Sequence, residues 1–109
     1  IVKNIMKIAS TLQQSIPGVK LYIISLYPIN RTRKFPSFIT CGVRTNKAIR
    51  KTNERLKAAC EQAKIPFINI HPLLTDKKGR FARDYTVEGL HLSGKGYEVI
   101  ASALHPYID

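Results

Sequence analysis

The sequence predicts an α/β domain built on parallel strands. Three observations lead there: two short, nearly continuous apolar runs at residues 19–26 and 65–70, helical spacing of apolar residues before, between and after them, and Pro or Gly at the junctions. With 109 residues, 44% hydrophobic and 23% charged, the composition is that of one globular domain and argues against disorder.

Taken in order, Ile5, Ile8, Ala9 and Leu12 recur at i, i+3, i+4 and i+7, so residues 2–15 are expected to form an amphipathic helix stopped by Pro17-Gly18. Residues 19–26 carry one lysine in an otherwise nearly apolar run, the pattern of a strand buried on both faces, and Pro28 ends it. Residues 29–44 show no period and hold Arg31, Arg33, Lys34 and Arg44 among Pro36, Ser37 and Gly42. A loop this long in a compact domain is functional or mobile, and its Arg31-Thr32-Arg33-Lys34-Phe35 stretch reads either as solvated charge or as an anion site.

From Thr45 onward, Ile49, Thr52, Leu56, Ala59, Cys60 and Ala63 mark one face of a long helix. Its other face carries Lys47, Arg50, Lys51, Arg55, Lys57 and Lys64, a pattern usual for a wet helix surface. Residues 65–70 form the second strand, and His71-Pro72 opens a long loop. The closing helix is defined by Tyr97, Ile100, Ala101 and Leu104, capped by Ser93 and expected to finish near His105-Pro106.

Strand, helix and strand in succession make a βαβ unit with a right-handed crossover. Ligands of such sheets sit beyond the carboxyl ends of the strands, where the loops 29–44 and 71–92 emerge. No linker divides the chain, so residues 1–109 are read as one domain. Two strands make a poor sheet on their own, so the first strand is expected to leave unpaired backbone and an apolar face, and to need a second polypeptide, self-association or more chain.

Eighteen Lys and Arg against seven Asp and Glu give a net charge of +11, which favours anionic partners unless a further segment compensates. No apolar run approaches the ~20 residues of a membrane-spanning helix. Cys41 and Cys60 match no zinc spacing and do not decide the redox compartment.

The stretch with the densest chemistry is Glu88-Gly89-Leu90-His91-Leu92-Ser93-Gly94-Lys95-Gly96-Tyr97. A carboxylate three residues before a histidine in a glycine-containing loop can fold back onto the ring Nδ1–H, leaving Nε2 free to take a proton from a nucleophile. The same residues also suit a solvated loop leading into a Ser93 helix cap.

The surrounding residues favour the first reading. Tyr85 to Ser93, followed by Gly94, Gly96 and Tyr97, resembles the last sequence block of the SGNH/GDSL hydrolases, usually D-G-L-H-L with a following G-Y pair. The likeness extends to the strand ending in Tyr27-Pro28, the helix containing Asn53, and Pro66-Phe67-Ile68-Asn69-Ile70-His71-Pro72-Leu73-Leu74. It implies the C-terminal part of a flavodoxin-like three-layer α/β/α fold, His91 as general base and Glu88 as its orienting acid. Glutamate replaces the family aspartate. The family's G-D-S-like serine block and its oxyanion glycine and asparagine blocks are not visible, so the chain is expected to be the C-terminal half of such an enzyme.

The local serines are poor substitutes for that nucleophile: Ser25 lies in or just after a strand, Ser93 is the cap, and Ser10, Ser15, Ser37 and Ser102 lack a glycine-rich elbow. Neither Cys41 nor Cys60 has neighbours suited to a thiol nucleophile. His71, Asp84, Glu88, His91 and His105 match no chelating pattern, so no metal is expected, and the serine-hydrolase chemistry that the resemblance implies requires no cofactor; His71 reads as structural and His105 as a partner of the helix dipole. The resemblance implies a serine esterase acting on short-chain acyl esters, among them O-acetyl esters of carbohydrates. The alternative from another class is a basic module or inactive fragment that binds nucleic acid or anionic glycan, although no nucleic-acid-binding motif accompanies the charge.

Overall fold

A computed structural model describes residues 1–31, 41–42 and 44–108. Helix α1 spans Val2–Ser15, strand β1 Ile23–Ile24, helix α2 Asn46–Ala63, strand β2 Phe67–Ile68 and helix α3 Gly94–Ile108; short 3₁₀ turns at His71–Leu74 and Arg83–Tyr85 interrupt the last long loop. The strands pair in parallel, Ile23 opposite Phe67 and Ile24 opposite Ile68.

Strand alternation then sorts the helices into layers. Ile24 and Ile68 face a core that includes Ile70, Leu74, Phe81 and Ile100 of α3. The adjacent pair, Ile23 and Phe67, faces the opposite side, where Ile23 lines a cleft with α1 and Phe67 one with α2. Helices α1 and α2 touch each other there. The arrangement is α/β/α.

The ladder is shorter than the apolar runs because side chains take over the backbone groups beyond it. Ser25 Oγ accepts the N–H groups of Ile70 and His71 at 3.0 and 2.9 Å. Asn53 brackets Leu26, its Oδ1 accepting the Leu26 N–H at 2.8 Å and its Nδ2 donating to the Leu26 carbonyl at 3.2 Å. Two helical turns earlier, Asn46 treats Ile29 the same way at 2.8 and 2.9 Å. Each amide imitates a strand neighbour, so backbone that leaves the sheet remains paired.

Two expectations need correction. Residues 19–26 are not buried on both faces: Lys20 and Tyr22 are exposed and Ile23 is half-buried. Among the described residues β1 is paired along one edge only, and beside it Ile8 and Leu12 of α1 stay uncovered. Helix α3 also does not stop at His105-Pro106 but runs to Ile108. Proline in the last turn removes a single hydrogen bond, and the turn is held by Tyr107, whose ring meets Tyr22 edge-on with centroids 5.7 Å apart. Ser93 caps as expected, its Oγ accepting from Gly96 N at 3.2 Å, and Thr45, where the helical spacing begins, caps α2 with Oγ1 accepting from Ala48 N at 3.1 Å.

Candidate active site

The loop between the second 3₁₀ turn and α3 closes on itself. Thr86 and Leu92 form an antiparallel bridge, and Val87 N donates to the His91 carbonyl at 3.0 Å. Thr86, buried within, donates from Oγ1 to the same carbonyl at 2.7 Å and accepts from Gly89 N at 2.9 Å. Gly89 turns the chain at φ +111°, a conformation that side chains strongly disfavour.

This fold brings the carboxylate of Glu88 over the start of its own turn. Oε1 accepts from Leu90 N at 3.0 Å and His91 N at 2.7 Å, and Oε2 lies 2.5 Å from His91 Nδ1. Burial works against the charge, but the His91 backbone N–H, its ring and the Leu90 N–H outweigh it and hold the Glu88 carboxyl at about 2. The Glu88 side chain is 17% exposed and that of His91 69%. The carboxylate is thus sheltered, Nδ1 is bound as a donor, and the ring edge with Nε2 faces outward.

The loop is tied to the sheet through the segment that follows β1. Asn30 N donates to the Gly89 carbonyl at 2.9 Å, and Asn30 Nδ2 to the Phe81 carbonyl at 3.0 Å. The buried Cys41 thiol also reaches the Gly89 carbonyl, at 3.7 Å. With Asn46 and Asn53 holding residues 26 and 29, a continuous chain of hydrogen bonds joins α2 to the His91 loop. Sequence reading missed Asn30, Asn46 and Thr86. Asn46 carried a signal, as a polar residue three positions before Ile49 on the apolar face of α2, whereas Asn30 and Thr86 lie in stretches without a period and carried none.

The remaining candidates fall elsewhere. Ser25 is buried under two backbone donors, and the Ser93 hydroxyl donates to the Asp84 carbonyl at 2.6 Å while capping α3. Among the described residues no serine hydroxyl bonds His91. His71 is buried, and burial together with Arg50 holds its ring below the usual histidine range. Asp84 contributes its carbonyl near the loop, and His105 lies in the last turn of α3. No cluster of potential metal ligands occurs among the described residues. Arg31 donates to the Arg44 carbonyl at 2.9 Å, whereas Arg33 and Lys34 lie outside the described residues.

The family model for GDSL-like lipases and acylhydrolases matches residues 1–99. The chain belongs to that family. A Streptococcus pneumonia structure named for platelet activating factor resembles this GDSL-like chain with 26% identity and a TM-score of 0.84 over 99% of the chain and 50% of the other. A GDSL-like lipase from Bacteroides thetaiotaomicron aligns at 24% identity and TM-score 0.75, over 96% and 49%. The esterase domain of a zebrafish retrotransposon ORF1 protein aligns at 19% and 0.71, over 95% and 58%; these last two likenesses concern the fold alone. The GDSL-like chain therefore spans about half the length of the solved structures it matches. No curated protein matches it.

Proposed function

We propose that the protein is a serine-type carboxylic-ester hydrolase in which this chain supplies the general base, His91, and the acid that orients it, Glu88. Nucleophile and oxyanion donors come from a further segment that pairs with the open edge of β1 and covers Ile8 and Leu12. The observation that carries the reading is the Glu88 carboxylate on His91 Nδ1 with the far edge of the ring exposed, in a chain of the GDSL-like family.

A serine hydroxyl placed at Nε2 gives up its proton to His91 as its oxygen attacks the ester carbonyl. The imidazolium so formed is stabilised by Glu88, which keeps its own charge. Collapse of the tetrahedral intermediate expels the alcohol, which takes the proton from Nε2, and water then repeats the sequence on the acyl-enzyme. The low carboxyl pKa supports this role, since a carboxylate that is ionised throughout the working range can stabilise imidazolium at every step. The substrate class we favour is a short-chain acyl ester, in particular a carbohydrate O-acetyl ester.

Hydrolysis of an activated acetate ester by residues 1–109 alone, by the full-length protein and by its His91→Ala variant tests the reading. Turnover is expected only in the unmodified full-length protein. Robust hydrolysis by residues 1–109, lost on changing one of that segment's own serines, would overturn the division of labour, and unchanged turnover in His91→Ala would overturn the role of His91.

A further inference from the structure

On the α2 side of the sheet, a groove of about 310 Å³ runs between α2 and β2 and shares no lining residue with the Glu88–His91 loop. Arg50, Asn53, Glu54 and Lys57 line it from one face of α2, and Phe67, Asn69 and His71 from alternate positions at and after β2. Asn53 and His71 are buried and make its floor, while Arg50, Glu54, Lys57 and Asn69 are exposed along its rim.

The two floor residues differ in one respect. Both ends of the Asn53 amide are occupied by Leu26 backbone. His71 Nε2 is buried without any hydrogen-bond partner, an arrangement rare enough in folded proteins to call for a cause. The rim above it carries two cations and one carboxylate, and among the described residues no ion pair joins Glu54 to either cation. The Arg50 guanidinium also reaches the turn at Gly79, where an added Cβ would lie 3.6 Å from its Nη1.

We infer that this groove is a binding site for a small oxyanion, a carboxylate or a tetrahedral phosphate or sulfate group, held by Arg50 and Lys57 at the rim and hydrogen-bonded by His71 Nε2–H at the floor. A neutral imidazole donates one such bond without carrying a charge into the interior, and the guanidinium supplies the planar fork that matches an oxyanion. Burial and Arg50 keep His71 neutral until an anion arrives. The anion reverses that bias, since a nearby negative charge favours imidazolium.

The test uses the full-length protein and follows the His71 Hε1 proton by NMR, identified as the signal lost in His71→Phe. Sodium sulfate is expected to shift it saturably at pH 7 and to move its titration midpoint upward. Arg50→Ala and Lys57→Ala, both at exposed positions, should each weaken the apparent affinity by roughly tenfold, the scale of one charge-assisted hydrogen bond. Glu54→Gln should tighten it, and Lys95→Ala, remote from the groove, should leave it unchanged. Acetate and phosphate then distinguish the sources: a response to sulfate and phosphate alone assigns a tetrahedral group, and one to acetate alone a carboxylate. The inference is overturned if no anion gives a saturable shift, if sodium chloride gives the same shift at equal ionic strength, or if the response survives in a correctly folded Arg50→Ala/Lys57→Ala double variant.

Discussion

Glu88 holds His91 at two points with one carboxylate: Oε2 lies 2.5 Å from the ring Nδ1 while Oε1 accepts the His91 backbone N–H at 2.7 Å. The extra methylene of glutamate over aspartate is absorbed within the turn. The side chain bends back over Leu90 and His91, and Gly89, with no Cβ, turns the chain beneath it at φ +111°.

Under the proposed reading, the contribution of that charge to turnover is directly measurable in the full-length protein. Glu88→Gln keeps the size but removes the charge that stabilises imidazolium, and is expected to lower kcat by up to ~10⁴. Glu88→Asp should be far milder, and His91→Ala at least as damaging as Glu88→Gln. Turnover within about threefold of wild type in Glu88→Gln, alongside an inactive His91→Ala, would assign the orientation of the ring to another group.

The same carboxylate makes stability depend on pH. Its folded pKa of about 2 lies below the ordinary 4.5, so the unfolded chain binds the proton more tightly. The stabilisation is complete above about pH 4.5 and is lost as the pH falls through about 2. Melting temperatures from pH 6 down to pH 2 should therefore converge between wild type and Glu88→Gln at the acid end, with wild type the more stable above pH 4.5. Parallel curves across the whole range would contradict this linkage.

Thr86 is joined through its hydroxyl to the His91 carbonyl and the Gly89 N–H inside the loop, and under the proposed reading it positions His91. Thr86→Val preserves shape and leaves both groups without that partner. A loss of about 1–3 kcal/mol is expected by chemical denaturation. In the assay kcat should fall with little change in KM, and Thr86→Ser, which keeps the hydroxyl, should restore most of it. A harmless Thr86→Val alongside a damaging Thr86→Ser would show that the methyl group, not the hydroxyl, matters.

Gly96 marks where α3 crosses the backbone of the second 3₁₀ turn. A Cβ there would stand 2.4 Å from the Tyr85 carbonyl oxygen, which Ser93 N already engages at 3.0 Å, whereas a Cβ at Gly94 meets nothing within 4 Å. Gly96→Ala should cost about 1–3 kcal/mol, and Gly94→Ala should be neutral or slightly stabilising. Comparable melting temperatures for the two variants would contradict this packing.

The sequence by itself determined the elements that depend on local periodicity and on neighbouring residues. Ile5, Ile8, Ala9 and Leu12 marked α1, Thr45 and Ser93 marked two helix starts, and Glu88 to His91, read together with the residues around them, pointed to the carboxylate–imidazole contact, all of whose atoms belong to one turn. The tertiary structure decided whatever depends on partners distant along the chain. The ladder is short because Asn46, Asn53 and the Ser25 hydroxyl replace strand neighbours up to 46 residues away, and no period in the sequence encodes such a substitution. Helix α3 passes Pro106 because Tyr107 meets Tyr22 across the fold. His71 illustrates the difference most clearly: in sequence it is a histidine after a strand, and only the convergence of α2 and β2 places its unpartnered nitrogen beneath two cations. Periodicity reports which face of an element is apolar, but the hydrogen bonds that register one element against another are set by side-chain reach in three dimensions.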